Sequence, residues 1–158
     1  MAHLLQLNIP LTLKTNNMNN EFTPYEQALD LKKLGFNEEC LAFYNSTLKT
    51  PNELLYPQYG GEVGNWNVEN HLISAPLYQQ AFRWFIEKYN FVGTILGDGF
   101  NGELKGYYYS ITEQGWINYY ESIDDGKWYD TYEETELACL IKLIEIVQVL
   151  PDNYENQS

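Results

Sequence analysis

Basic residues are scarce. Nine Lys and Arg stand against 22 Asp and Glu in 158 residues, a formal charge of −13. A polyanion is gripped by Lys and Arg that displace its counterions, so this balance excludes nucleic-acid binding by phosphate neutralisation. It also excludes adsorption to anionic lipid. Two Cys and two His are too few for a Cys/His zinc cage or a disulfide framework. No metal and no cofactor is expected. Long apolar runs are missing too. The N-terminal run is broken by Asn8 and Pro10 and is far too short to span a bilayer. Its first positive charge, Lys14, follows the run instead of preceding it, the reverse of an export signal. Both thiols are therefore expected to be reduced and cytoplasmic, and the Asn45-Ser46-Thr47 sequon carries no chemistry. There is no internal repeat and no low-complexity block.

Aromatic residues are abundant: Tyr 14, Phe 7 and Trp 4, or 16% of the chain. Rings give large contact area at low entropic cost, and Tyr and Trp add a polar handle. They serve equally as a core or as a binding face. Charged residues are only 20%, too few for a disordered acidic tail. The length suits one domain with a real core. We assign that domain to residues 21–150, with tails at 1–20 and 151–158. Met18 is a candidate alternative start.

Thr23-Pro24-Tyr25-Glu26 reads as a helix start, with Thr23 as cap. The helix runs over about 24–34 and ends at Gly35, with Phe36 folding back on it. Cys40–Tyr44 reads as a short buried strand, with Glu53–Tyr59 as an edge partner. Residues 60–71 read as loop. Ser74-Ala75-Pro76 opens a second helix whose apolar face carries Leu77, Ala81, Trp84, Phe85 and Tyr89, closing at Asn90. Strand-like runs follow at Phe91–Leu96, Glu103–Thr112 and Gly115–Ile123. Thr131-Tyr132-Glu133-Glu134 is a second capping box, and a nearly all-apolar helix follows it to Pro151. The expected class is α+β: an antiparallel sheet with helices on one face, in the order α-β-β-β-α, preceded by a helix-strand unit.

Several motifs invite chemistry. Gly97-Asp98-Gly99-Phe100-Asn101-Gly102 matches G-x-G-x-x-G, but a strand follows where a dinucleotide site needs a helix N-terminus, so it reads as a hairpin turn. Cys40 and Cys139 lie in apolar runs and read as inert buried thiols. His71 reads as a surface residue, and no catalytic set is visible. From Glu121 to Glu136 seven acids face one base, Lys127. Within this run Asp124, Asp125, Asp130, Glu133, Glu134 and Glu136 form a candidate surface for a basic partner. The plainer alternative is a solvated turn and helix start. Tyr107, Tyr109, Trp116 and Tyr120 form a second candidate, an aromatic sheet face open to a partner or planar ligand.

The helix-strand-strand-strand-helix order over residues 75–148 is similar to the double-stranded-RNA-binding domain. That family grips RNA with Lys at the start of its last helix, where this chain has Glu133, Glu134 and Glu136. The likeness therefore implies a topology and no RNA binding. The runs Phe22–Leu29, Leu31–Phe36, Ala75–Phe85 and Thr131–Glu145 resemble a group of small proteins of bacteriophages and prophages of gut bacteria. That resemblance implies a setting in a host cytoplasm and assigns no catalytic residue. The expected function is a non-enzymatic interaction protein that binds a host protein, such as a nucleic-acid-handling or defence factor, helped by electrostatic steering. The alternatives are a nucleotide or small-ligand module using the aromatic face, where a phosphate ligand would need Arg83, Lys88 or Lys105 to converge on the pocket, and a virion component.

Overall fold

The computed structural model describes residues 18–57, 62–113 and 120–151. A 3-10 turn at Met18–Glu21 leads into α1 (Tyr25–Lys33), β1 (Ala42–Asn45), a 3-10 turn at Trp66–Val68 and β2 (Leu72–Ala75). Then come α2 (Tyr78–Tyr89), β3 (Phe91–Phe100), β4 (Glu103–Glu113) and β5 (Tyr120–Glu121). A 3-10 turn at Ser122–Asp125 and α3 (Tyr132–Gln148) complete the series. The class is α+β, as the patterning implies. β3, β4 and β5 form one antiparallel sheet in that order, and β1 and β2 form a separate antiparallel ribbon.

Local chemistry explains most boundaries. Gly35 takes φ +87°, while its N–H bonds the Lys32 carbonyl and Phe36 N–H bonds that of Leu31. This paired closure is the Schellman motif, and it buries Phe36. Asn90 ends α2 in the left-handed region at φ 60°. Asn101 (φ 53°) and Gly102 (φ 80°) form the two-residue turn between β3 and β4, so the glycine-rich motif is a hairpin. Thr131 caps α3 through its side chain, which accepts the Glu134 N–H at 3.2 Å.

Three expectations need correction. Thr23 does not cap α1. It is 0% exposed, and its hydroxyl has no hydrogen-bond partner among the described residues. Its backbone N–H goes instead to the Pro76 carbonyl, and its carbonyl accepts the Tyr44 hydroxyl. Ser74 and Ala75 do not open α2; they end β2, and the helix begins at Tyr78. The strand partner of β1 is β2. Leu55 contributes only a single bridge to Phe43.

Both α2 and α3 pack on one face of the larger sheet, the face that carries Phe91, Gly93, Tyr109 and Ile111. Gly93 permits the close approach. A Cβ there would sit 2.8 Å from the Cys139 sulfur and 3.1 Å from a Leu143 methyl. The main core joins these residues to Leu31 and Phe36, while a smaller cluster of Phe22, Ala28, Ala42, Tyr44, Ile73 and Ala75 lies under α1. Among the described residues, no helix is long and apolar enough to cross a membrane.

Candidate functional site

The aromatic sheet face is not the open surface that alternation alone suggests. Tyr107, Tyr109 and Tyr120 point to the helix-covered side. Tyr109 is 3% exposed, stacks on Tyr120 at 5.7 Å and meets Tyr129 at 6.1 Å. Tyr107 meets Tyr132, at the start of α3, edge-on. The Tyr120 hydroxyl donates to Asp125 at 2.6 Å, and the Lys142 ammonium lies 4.5 Å from its ring. Trp116 lies outside the described residues. The opposite face carries Tyr108 and Trp128, edge to face at 5.5 Å, with Trp128 50% exposed. Parity decides this, because one slip of register exchanges every side chain between faces. Arg83, Lys88 and Lys105 do not converge. Arg83 lies near Glu87, Lys105 pairs with Glu103, and Lys88 donates to the Leu34 carbonyl.

The acidic run divides in two. Asp124 and Asp125 sit on the 3-10 turn after β5, and Asp125 is engaged by Tyr120. Glu133, Glu134 and Glu136 lie on the first turns of α3 and line a different region. Asp130 is exposed before that helix and lines neither hollow of that region.

That region is a cleft with two adjoining hollows of about 690 and 310 Å³. Phe22, Tyr78, Asn20 and Glu133 border both. Tyr25 and Tyr44, edge to face at 5.5 Å, wall the larger hollow; Glu21, Tyr132 and Glu136 wall the smaller. Among the described residues, neither hollow is lined by Lys, Arg or His, and neither by Ser, Thr or Cys. The charge that the described residues bring to the cleft is therefore all negative. Its effect is visible on Glu136. Partial burial, then the charges of Glu21 and Glu133, push its carboxyl up to about 7. Burial and the charge of Glu136 also raise the phenols of Tyr78 and Tyr132.

A carboxyl titrating near neutrality beside a phenol is a feature of acid–base sites. Here no nucleophile lines the cleft among the described residues. The two thiols are elsewhere and weakly acidic. Burial, then the Glu38 charge, pushes Cys40 up to about 12, and burial raises Cys139 as well. His71 is exposed, with its carbonyl receiving the Ser46 hydroxyl. No group of three or more His, Cys, Asp or Glu among the described residues is placed to hold a metal ion.

Sequence reasoning found Glu133, Glu134 and Glu136 but missed Glu21 and Tyr78. Helical spacing could have flagged Tyr78, which falls one residue from the apolar face as first drawn. Nothing local points to Glu21. No protein-family model matches the chain, and no curated protein or solved structure shows significant similarity to it.

Proposed function

We propose that this chain is a non-enzymatic interaction protein that docks a basic segment of another protein in its acidic, aromatic cleft. One observation carries the reading. Glu21, Glu133 and Glu136 line a hollow in which no cation stands among the described residues, and partial burial, then the charges of Glu21 and Glu133, push the Glu136 carboxyl up to about 7. Crowded like charges cost folding free energy, and a cationic partner relieves that cost on binding. The net charge of −13 supports fast, steered association with a basic surface. In the setting that the phage-group resemblance implies, the partner is a host cytoplasmic protein, and a nucleic-acid-handling factor supplies a suitable basic surface. The ligand-module alternative is less favoured, because Tyr109 is buried on the helix-covered face.

The test is capture of partners from host lysate at low and moderate salt, with the native chain and a Glu133→Gln/Glu134→Gln/Glu136→Gln variant. One near-stoichiometric basic protein, lost with salt and absent from the variant, is the expected result. Equal capture by both chains would overturn the reading.

A further inference from the structure

We infer that the smaller hollow of the cleft is a receptor for a single arginine side chain of the partner, its guanidinium held between the carboxylates of Glu136 and Glu21 and the hydroxyl of Tyr78. This rests on the reading above and deepens it from a charged surface to a specific pocket. Acidic residues at a helix start do not by themselves make a site. The second observation is Tyr78. This residue is 7% exposed and borders both hollows. Its hydroxyl has no hydrogen-bond partner among the described residues. A tyrosine so deeply set normally uses its hydroxyl in the fold. Here the hydroxyl is close enough to Glu136 for the carboxylate charge to raise the phenol, yet unbonded to it. The hydroxyl is thus left without a protein partner among the described residues, on a side chain that borders both hollows.

The chemistry selects arginine over other cations. A metal ion needs carboxylates that converge on one point, and among the described residues these do not. A guanidinium is planar and offers five donors in a fixed fork, so it can bridge acceptors that stand apart. It is weakly hydrated, which suits a half-buried carboxyl, and it stacks on rings such as Tyr132 and Phe22. A lysine ammonium is a compact, strongly hydrated point charge and gains less from such a site.

Binding is then linked to protons. Glu136 faces Glu21 from the N-terminal turn, Tyr78 from α2, and Glu133, Tyr132 and Cys139 from its own helix. None of these groups is a cation, so the incoming guanidinium is the charge that ionises it. Arginine binding releases a proton at neutral pH, and affinity falls as the solution is acidified.

The experiment is a solution NMR titration of the full chain with N-acetyl-arginine amide, N-acetyl-lysine amide and N-acetyl-citrulline amide. It is repeated at about pH 8 and about pH 6, on either side of the Glu136 titration. The expected result is shifts confined to Glu21, Tyr78, Tyr132 and Glu136, saturating with the arginine probe several-fold below the lysine probe and absent with citrulline. Affinity should drop several-fold at the lower pH in the native chain and become pH-independent in Glu136→Gln. Tyr78→Phe should weaken arginine binding with no change in melting temperature, because the fold does not use that hydroxyl. Equal affinity for arginine and lysine, or no shift at the cleft, would overturn the inference. Either result would leave the broader acidic-surface reading standing if lysate capture still depends on Glu133, Glu134 and Glu136. An unchanged pH dependence in Glu136→Gln would also overturn it.

Discussion

Around α1 and the β1–β2 ribbon the chain is tied by polar groups, whereas around α2, α3 and the three-stranded sheet it is held by interlocked apolar side chains. In the first region the Lys32 ammonium donates to the carbonyls of Glu69, Asn70 and Leu72 at 2.7, 3.3 and 2.6 Å, which fixes the entry to β2. Asn67 donates to the Phe36 carbonyl and accepts the Ser74 N–H. The Trp66 indole donates to the Cys40 carbonyl, and its backbone N–H reaches the Ser74 hydroxyl. In the second region Phe85, Phe91, Ile111, Leu140 and Leu143 are all fully buried. The difference teaches where each region is vulnerable. Apolar packing is lost with volume, whereas polar stitching is lost with one donor. The cleft lies on the seam, taking Phe22 and Tyr44 from the first region and Tyr78, Glu133 and Leu137 from the second.

The sharpest way to separate the regions is to empty part of the second. Leu143 is fully buried, with a methyl 3.1 Å from where a Cβ of Gly93 would stand. Leu143→Ala should cost about 2–5 kcal/mol, the range for large-to-small changes in a packed core. Equilibrium denaturation checks this. A loss below that range would mean the site collapses, and the packing contrast would fail.

Lys32→Met tests the first region. It keeps the aliphatic stem and removes three charge-assisted bonds, so the expected loss is about 1–3 kcal/mol. The loss should be local. Hydrogen exchange should rise in β1 and β2 while the amides of β3, β4 and α3 keep their protection. Uniform acceleration across both regions would show that they unfold as one and that the contrast has no thermodynamic content.

The same contrast sets what could be read from the sequence. α1, α2 and α3 announce themselves by apolar spacing and by end signals such as Gly35 and Thr131, which act within a few residues. The β3–β4 hairpin is legible from Asn101-Gly102. β2 is not, because Leu72-Ile73-Ser74-Ala75 becomes a strand through bonds to Tyr44, Asn67 and Trp66, partners that no local pattern reveals. The cleft is half legible for the same reason. Glu133, Glu134 and Glu136 are visible as a run, while Glu21 and Tyr78 join them only through tertiary structure. The tyrosines of β4 were visible as a set, yet which side the helices cover depends on the seating of α3 over Gly93.

At the seam, Glu136→Gln should stabilise the chain above neutrality and have little effect in acid. Burial, then the charges of Glu21 and Glu133, push the folded carboxyl up to about 7 from the 4.5 of a free carboxyl, so the folded state holds its proton more tightly. The native chain is therefore most stable, with respect to this group, below about pH 4.5, and loses that advantage as pH rises through about 7. Because the group is only partly buried, solvent screening reduces the effect to about 1 kcal/mol. Melting curves of both chains across this window check the sign. A variant less stable than the native chain at about pH 8 would mean that the Glu136 carboxylate is compensated, and the uncompensated cleft would be wrong.

The smallest effect concerns the hydroxyl that sequence and structure assign differently. If Thr23 capped α1, Thr23→Val would cost about 1 kcal/mol, as loss of a cap does. The structure buries the hydroxyl fully and, among the described residues, without a partner, while the backbone of Thr23 is held by Pro76 and Tyr44. Desolvating a hydroxyl with no partner is unfavourable, and a methyl fills the same space without that cost. Thr23→Val should therefore stabilise the chain, by about 0.5–1 kcal/mol. Chemical denaturation resolves the two signs. A loss would return the Thr23 hydroxyl to the start of α1 as its cap. A gain would show a polar group retained, among the described residues, inside a region otherwise stitched by satisfied ones, one residue from Phe22 in the cleft wall.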